Sequence, residues 1–327
     1  MKIRYGILST ASIIGRFIQG IKDSKDGEAI AICSRNMDKA KEACEKFGVE
    51  KAYDDYEKML LDDEIDVIYI ANLNSRHYYD AILALKARKH VVLEKPFVLT
   101  KAQAERLFEI AKEYGVFLME AQKIVFLPIT DKTKEIIVEG RLGNINYISI
   151  VATYAGRFGY DHWMFSLDHA GGCLHGSVSY TIEYLQHLFD VKTITYNGLQ
   201  KKAPTGVDEA CQLNFLVNEK LLVTSCIAMG FVARNAAIIY GDKGYIEVED
   251  FWKARKMKVV IDGIEDIIEI PCNCEFVYEV NHVNECIQKG LLTSPIMKPE
   301  NSIQTMEITE NIFRNWNPDY VREYEKL

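Results

Sequence analysis

The sequence predicts an α/β protein, with a doubly wound parallel-sheet domain at 1–121 and an α+β domain at 122–327. Three observations predict it. Over about the first 120 residues, short apolar runs alternate with amphipathic stretches, the pattern of a parallel sheet covered by helices. Beyond Pro128, strand-like runs follow one another through short turns. At 327 residues the chain exceeds the usual span of one hydrophobic core, so two domains are expected.

In the first domain, Ile3 to Leu8 reads as a strand, Ser12 to Gly20 begins a helix, and Glu28 to Ser34 is a second strand. Met37 to Phe47 is helical because Ala40, Ala43, Cys44 and Phe47 recur at spacings of three and four. Tyr56 to Leu61 gives a short helix. Asp66 to Ala71 is almost wholly apolar, as a strand buried on both faces must be. Tyr78 to Ala87 is a helix and His90 to Glu94 a strand. Thr100 caps a helix that runs to Tyr114, Gly115 ends it, and Val116 to Glu120 is the fifth strand.

In the second domain Asp131 to Gly140 is a helix, and strands then dominate: Ile145–Tyr154, Glu209–Val217, Leu221–Cys226, Asn235–Tyr240, Tyr245–Val248 and Lys256–Ile261. Turns such as Gly241-Asp242-Lys243-Gly244 and Asp262-Gly263 make the pairing largely antiparallel. Helices are expected at Ser177–Phe189, Phe276–Lys289 and about Asn301–Asn315, the last free to pack back on the first domain.

Composition excludes several classes. Apolar residues make up 48% and charged ones 26%, an ordinary globular balance. A net charge of −8 argues against nucleic acid or an anionic membrane as partner. No apolar run approaches the roughly 20 residues needed to span a bilayer. Met1 to Tyr5 leads straight into a strand, without the apolar core and cleavage site of a signal peptide. Of eight cysteines only Cys272 and Cys274 are close, and no second pair completes a zinc pattern, so no metal is expected. Reduced thiols in a cytoplasmic protein are the expectation.

The chemistry concentrates at the ends of the predicted strands. After the first, Gly6 is followed by Ser9, Thr10, Ala11, Ser12 and Ile13, not by G-x-G-x-x-G. Small residues there still let a pyrophosphate approach the backbone and the next helix's N–H groups. The second strand ends in Ser34-Arg35, where a guanidinium and a hydroxyl suit the 2′-phosphate of NADP better than the 2′-hydroxyl of NAD. The plain alternative is an exposed arginine ahead of a helix. The third strand ends in Ala71-Asn72 and continues through Asn74 to His77, which either caps a helix or touches cofactor or substrate. The fourth delivers Glu94-Lys95-Pro96, whose proline-fixed lysine can polarise an oxygen or lower a neighbour's pKa.

In this order the motifs resemble those of the Gfo/Idh/MocA oxidoreductases, the family of glucose–fructose oxidoreductase and inositol dehydrogenase. They continue through Met119-Glu120-Ala121, Ala170-Gly171-Gly172-Cys173-Leu174 and Tyr278 to Val283, so the resemblance covers essentially the whole chain. It implies a Rossmann-type dinucleotide-binding domain followed by a domain with a large, mainly antiparallel open sheet that forms oligomers, here a homodimer or a dimer of dimers. With Ser34-Arg35 at the second strand's end, NADP is the expected cofactor, with NAD as the alternative. The cofactor would be held by the residues just named from Ser9 to Lys95. The small-molecule substrate would be a sugar, polyol or diol.

Counted from Gly171-Gly172, the second catalytic group falls on Tyr180, as in the branch resembling dimeric dihydrodiol and xylose dehydrogenases. Here the chain departs from the pattern. Gly176 stands where the family tends to have aspartate and Val178 where it has glycine, leaving His175 and Glu183 as the nearest polar substitutes. Lys95 and Tyr180 make chemical sense together. A phenol is a weak base at neutral pH unless a cation stabilises its phenolate. Upstream, Tyr154, Phe158, Tyr160, Trp163 and Phe165 suit either a substrate pocket or a packed loop, with Trp163 the best candidate for a substrate wall. Two other readings stay open. One is a nucleotide-sensing regulator without catalysis, and the other an NAD-dependent glycoside-processing enzyme.

Overall fold

In the computed structural model, which describes residues 2–155 and 158–320, the first apolar run forms β1 (Ile3–Leu8) and leads into α1 (Ile14–Asp23). There follow β2 (Gly27–Cys33), α2 (Met37–Phe47), β3 (Lys51–Tyr53), α3 (Tyr56–Leu60), β4 (Val67–Ile70), α4 (His77–Lys86), β5 (His90–Glu94), α5 (Lys101–Tyr114) and β6 (Leu118–Ala121). The strands form one parallel sheet in the order β3-β2-β1-β4-β5-β6. The sheet has six strands, one more than expected. β3 pairs over three residues only and is too short to show a period. Local chemistry sets the helix ends. Asn36 accepts from the Lys39 amide at 3.0 Å, and Thr100 accepts from the Gln103 amide at 3.1 Å. Gly48 and Gly115 close α2 and α5 in the left-handed conformation.

The second sheet is built from β7 (Ile145–Thr153), β8 (Ile194–Lys202), β9 (Asp208–Val217), β10 (Leu221–Ala228), β11 (Ala236–Gly241), β12 (Gly244–Glu249), β13 (Lys256–Ile261) and β14 (Ile264–Glu269). Its order is β14-β13-β12-β11-β7-β10-β9-β8. All neighbours are antiparallel except β7 and β10, which run parallel. Two helices go with it: α6 (Pro128–Val138) starts on its proline and packs on α7 (Cys173–Leu188), which lies against β9 and β10.

The chain divides into two compact units, Met1–Lys123 with Asn273–Met306 and Ile124–Cys272 with Glu307–Leu327. The return of Asn273–Met306 to the first unit differs from the expected split near residue 121. Its cause is α8 (Phe276–Gln288), which lies on α1: a Cβ on Gly20 would stand 2.6 Å from Phe276 Cβ, so only glycine permits this approach. The last of the three boundaries falls within α9 (Pro299–Trp316). No described helix is long and apolar enough to cross a membrane. The eight cysteines are free thiols.

Candidate active site

In the first unit, the residues singled out from sequence all fall at the carboxyl edge of the parallel sheet. β1 lies between β2 and β4, so the connections diverge there, which is where open α/β sheets bind their ligands. Ser9 turns its hydroxyl back to accept from the Ala11 amide at 2.8 Å, tightening the turn. Thr10, Ala11 and Ser12 are exposed, Ile13 is half-buried, and no side chain caps the start of α1. Gly15 is needed for packing, because a Cβ there would lie 2.8 Å from the Phe47 ring. The motif's glycines are absent, and small residues with one displaced glycine stand in this turn instead. Ser34 is half-buried, whereas Arg35 is exposed and forms no ion pair among the described residues.

The segment after β4 is tied down on both sides. Buried Asp80 accepts from Asn72 Nδ2 and, at 2.6 Å, from Arg76, while Asn74 and His77 are buried beside Ala71. His77 Nδ1 donates to the Pro96 carbonyl at 2.8 Å and so joins this segment to the turn after β5. Burial, the dominant influence, lowers the His77 pKa and keeps the ring neutral. Glu94 is buried, accepts from the Tyr69 hydroxyl at 2.6 Å, and accepts from the Lys95 amide at 3.2 Å. Tyr69 is itself stacked on Phe17 with ring centroids 3.5 Å apart, and Phe17 meets Tyr5 and Phe276 edge-on. Such pairs contribute about 0.5–1.5 kcal/mol each beyond their buried area. The aromatic core between β1, β4, α1 and α8 thereby fixes the carboxylate that precedes the half-buried Lys95.

Sequence reasoning missed a buried ionic group beneath this corner. Lys123, shortly after β6, lies 3.7 Å from the Glu275 carboxylate and 4.6 Å from the centre of the Phe276 ring. Arg16 also pairs with Glu275. Burial lowers the Lys123 pKa to about 8, opposed by Glu94 and Glu279 and assisted by Arg16 and Lys95. Glu279, fully buried on α8, is pushed well above the usual carboxylate range by burial and by Glu94 and Glu120, with Lys123 opposing. The rule that exposes Lys95, a lysine at the carboxyl end of a parallel strand, would also have found Lys123.

In the second unit, the Gly171-Gly172 pair is explained by its surroundings. A Cβ on Gly171 would lie 2.2 Å from the Met164 carbonyl oxygen, and one on Gly172 would lie 2.2 Å from Asp208 Oδ1. Gly172 has φ +98°, and Asp208 Oδ2 accepts from the Leu174 amide at 2.6 Å at the start of α7. No sequence signal marked Asp208. Tyr180, one turn after Gly176, is half-buried with its ring 6.4 Å from that of Trp252. His175 is buried, its ring edge-on to Phe313 at 5.1 Å, and Glu183 is buried as well. Trp163 is half-buried in a short turn next to His162, on which Phe158 stacks at 4.0 Å.

A parallel sheet of this order, with a small-residue turn after β1 and a fixed lysine at its carboxyl edge, defines a dinucleotide-binding oxidoreductase. Residues 3–122 match the oxidoreductase family with an NAD-binding Rossmann fold, and residues 130–247 match the GFO/IDH/MocA C-terminal domain. The chain belongs to the Gfo/Idh/MocA oxidoreductases. Among its relatives are the trans-1,2-dihydrobenzene-1,2-diol dehydrogenases of Mus musculus and Xenopus tropicalis. The mouse enzyme is 28% identical, over 95% of this chain and 96% of its own. The frog enzyme is 26% identical, over 98% and 100%. Two crystal structures show the same fold at a TM-score of 0.87. One is a 3-ketoreductase from Actinomadura kijaniata with NADP and TDP-benzene, at 22% identity over 96% of this chain and 97% of that one. The other is an aldose–aldose oxidoreductase from Caulobacter crescentus complexed with glycerol, at 20% identity over 98% and 100%.

Proposed function

We propose that the protein is an NADP-preferring dehydrogenase or reductase acting on a hydroxyl or carbonyl of a sugar, polyol or diol, with Lys95 and Tyr180 handling the proton. The observation that carries this is the built corner at Glu94-Lys95. An aromatic core fixes the carboxylate, and the His77–Pro96 hydrogen bond fixes the turn from the other side. A lysine whose backbone is fixed on both sides in this way supports a catalytic reading over a solvated one. The diol named for the relatives above gives the substrate class its support.

The exposed, uncapped start of α1 fits a pyrophosphate, with Ser9 to Ile13 lining it. Ser34 and Arg35 would hold the 2′-phosphate, and Ala71, Asn72, Asn74, His77 and Glu94 would line the nicotinamide side. NADP⁺, when bound, supplies the hydride acceptor. In the oxidative direction Tyr180 takes the proton of the substrate hydroxyl while the ammonium of Lys95 stabilises the phenolate, and in the reductive direction the tyrosine returns it. The close packing of His175 on Phe313 fits a structural role for that histidine. The same reading makes the protein a homodimer or a dimer of dimers.

Tyr180→Phe removes only a hydroxyl, so folding and cofactor binding should survive while kcat falls roughly 10²–10⁴-fold. Lys95→Met should cost a similar factor. The double variant should be little worse than either single one, because groups serving one proton transfer are not additive. Steady-state kinetics on sugars and diols with NADP⁺ check this. Additive losses would mean two separate roles, and a fully active Tyr180→Phe would remove tyrosine from the mechanism.

A further inference from the structure

Gly176 leaves a space on α7, one turn before Tyr180, and another element fills it. Beyond β7 the backbone stays fixed, since the Tyr154 amide donates to the Ala228 carbonyl at 2.8 Å and Ala155 bridges to Gly230. From there the Tyr154 side chain reaches α7. Its hydroxyl oxygen lies 3.6 Å from where a Cβ on Gly176 would stand and, the neighbouring residues and backbone of α7 aside, is the one described atom within 4 Å of that point. A larger side chain at 176 would run into the phenol. Residues 176 and 180 are four apart on one helix, so Tyr154 presents its hydroxyl beside the helix face that carries Tyr180. Burial, with Cys173, Asp208 and Cys211 nearby, raises the Tyr154 pKa, so the phenol stays protonated at neutral pH and both donates and accepts.

We propose that Tyr154 is a specificity-determining residue whose hydroxyl, seated over Gly176, hydrogen-bonds the substrate hydroxyl adjacent to the one oxidised, so that the enzyme prefers vicinal diols to mono-alcohols. This rests on the reading of Tyr180 as the acid–base residue. A site built around a hydrogen bond to a hydroxyl discriminates strongly against an analogue that lacks it, because the protein group is then left unpaired.

The test compares kcat/KM with NADP⁺ for trans-1,2-dihydrobenzene-1,2-diol and trans-cyclohexane-1,2-diol against cyclohexanol. Wild type should favour the diols. In Tyr154→Phe the diol-to-alcohol ratio should fall about 10–100-fold, mostly through KM. Gly176→Leu, whose side chain displaces the phenol without adding a polar group, should move the ratio the same way and serves if Tyr154→Phe folds poorly. A ratio unchanged in both variants, or a loss equal on diol and alcohol, overturns the inference while leaving the proposed function standing. A wild type inactive on both diols overturns the inference alone, since the proposed function also covers sugars and polyols, whereas a Tyr180→Phe variant as active as wild type overturns the underlying reading and the inference with it.

Discussion

Glu279 illustrates how much of this site is set by single buried titratable groups. Its carboxyl sits near Glu94 and Glu120 with Lys123 as the opposing cation, and its pKa lies well above the ordinary value. The consequence for stability has a definite sign. Below the unfolded pKa, near 4.3, both states hold the proton and Glu279 costs nothing. As pH rises past that point the unfolded chain ionises while the folded one does not, and stability falls by up to about 1.4 kcal/mol per pH unit until the folded pKa is reached. Glu279→Gln should therefore flatten the decline in urea midpoint between pH 5 and 7. An unchanged slope would show that the carboxyl ionises without cost. Lys123, lowered to about 8, acts in a separate window, since its burden on the fold is lifted as pH rises from about 8 toward the unfolded value. Arg35 belongs to the same scale. An exposed guanidinium without an ion pair among the described residues has no structural work to lose, so Arg35→Ala should spare stability. It should raise the Kd for NADP by about one to two powers of ten, from a charge-assisted bond of about 1.5–3 kcal/mol, and change NAD binding far less. Fluorescence titration with both cofactors checks this, and equal losses would remove Ser34-Arg35 from 2′-phosphate recognition. Lys95 was legible because a proline fixes it at a strand end. Glu279 and Asp208 were not, because their significance lies in neighbours more than thirty positions away.

At the scale of elements, legibility tracked burial. β1, β5 and β13 lie where the apolar pattern places them, since strands inside a sheet must be apolar on at least one face. The strands that escaped sequence reading, β3, β8 and β14, are all edge strands. Ile194–Lys202 carries Asn197, Gly198 and two lysines, and Ile264–Glu269 carries three acids in six residues with nearly every position exposed. Edges discourage further pairing with charge and irregularity, which also erases the alternation by which strands are recognised. α7 begins four residues earlier than its apolar pattern suggested, at Cys173 rather than Ser177. The reason is tertiary: Asp208, arriving from β9, accepts from the Leu174 amide and lets the helix start directly after Gly172. The Gly171-Gly172 motif was readable, but the carboxylate that makes it a helix start was not.

For the whole molecule, the register of the second sheet defines a surface the single chain leaves open. Leu222 pairs across to Leu216 and to Tyr147, Tyr147 to Tyr240, Tyr240 to Tyr245, and Tyr245 to Val260. Directly paired residues share a face, so these six form a continuous row across six strands. The Tyr147 and Tyr240 rings stack at 5.8 Å, and Leu222 is 57% exposed. The intervening residues of β10, Val223, Ser225 and Ile227, are buried on the side where α7 packs. A row of this length, exposed at Leu222 and Tyr240 and half-buried at the other four positions, is costly in water and uncommon in monomers. A second copy of the same face would cover it by two-fold symmetry, the commonest solution for such surfaces. Light scattering at micromolar concentration should therefore give a dimer or a dimer of dimers. Leu222→Glu, which sets two charges against each other or against the apolar row at the centre of that face, should shift the protein to smaller species without loss of secondary structure. A wild type that is monomeric at these concentrations would leave the tyrosine row without the partner assigned to it.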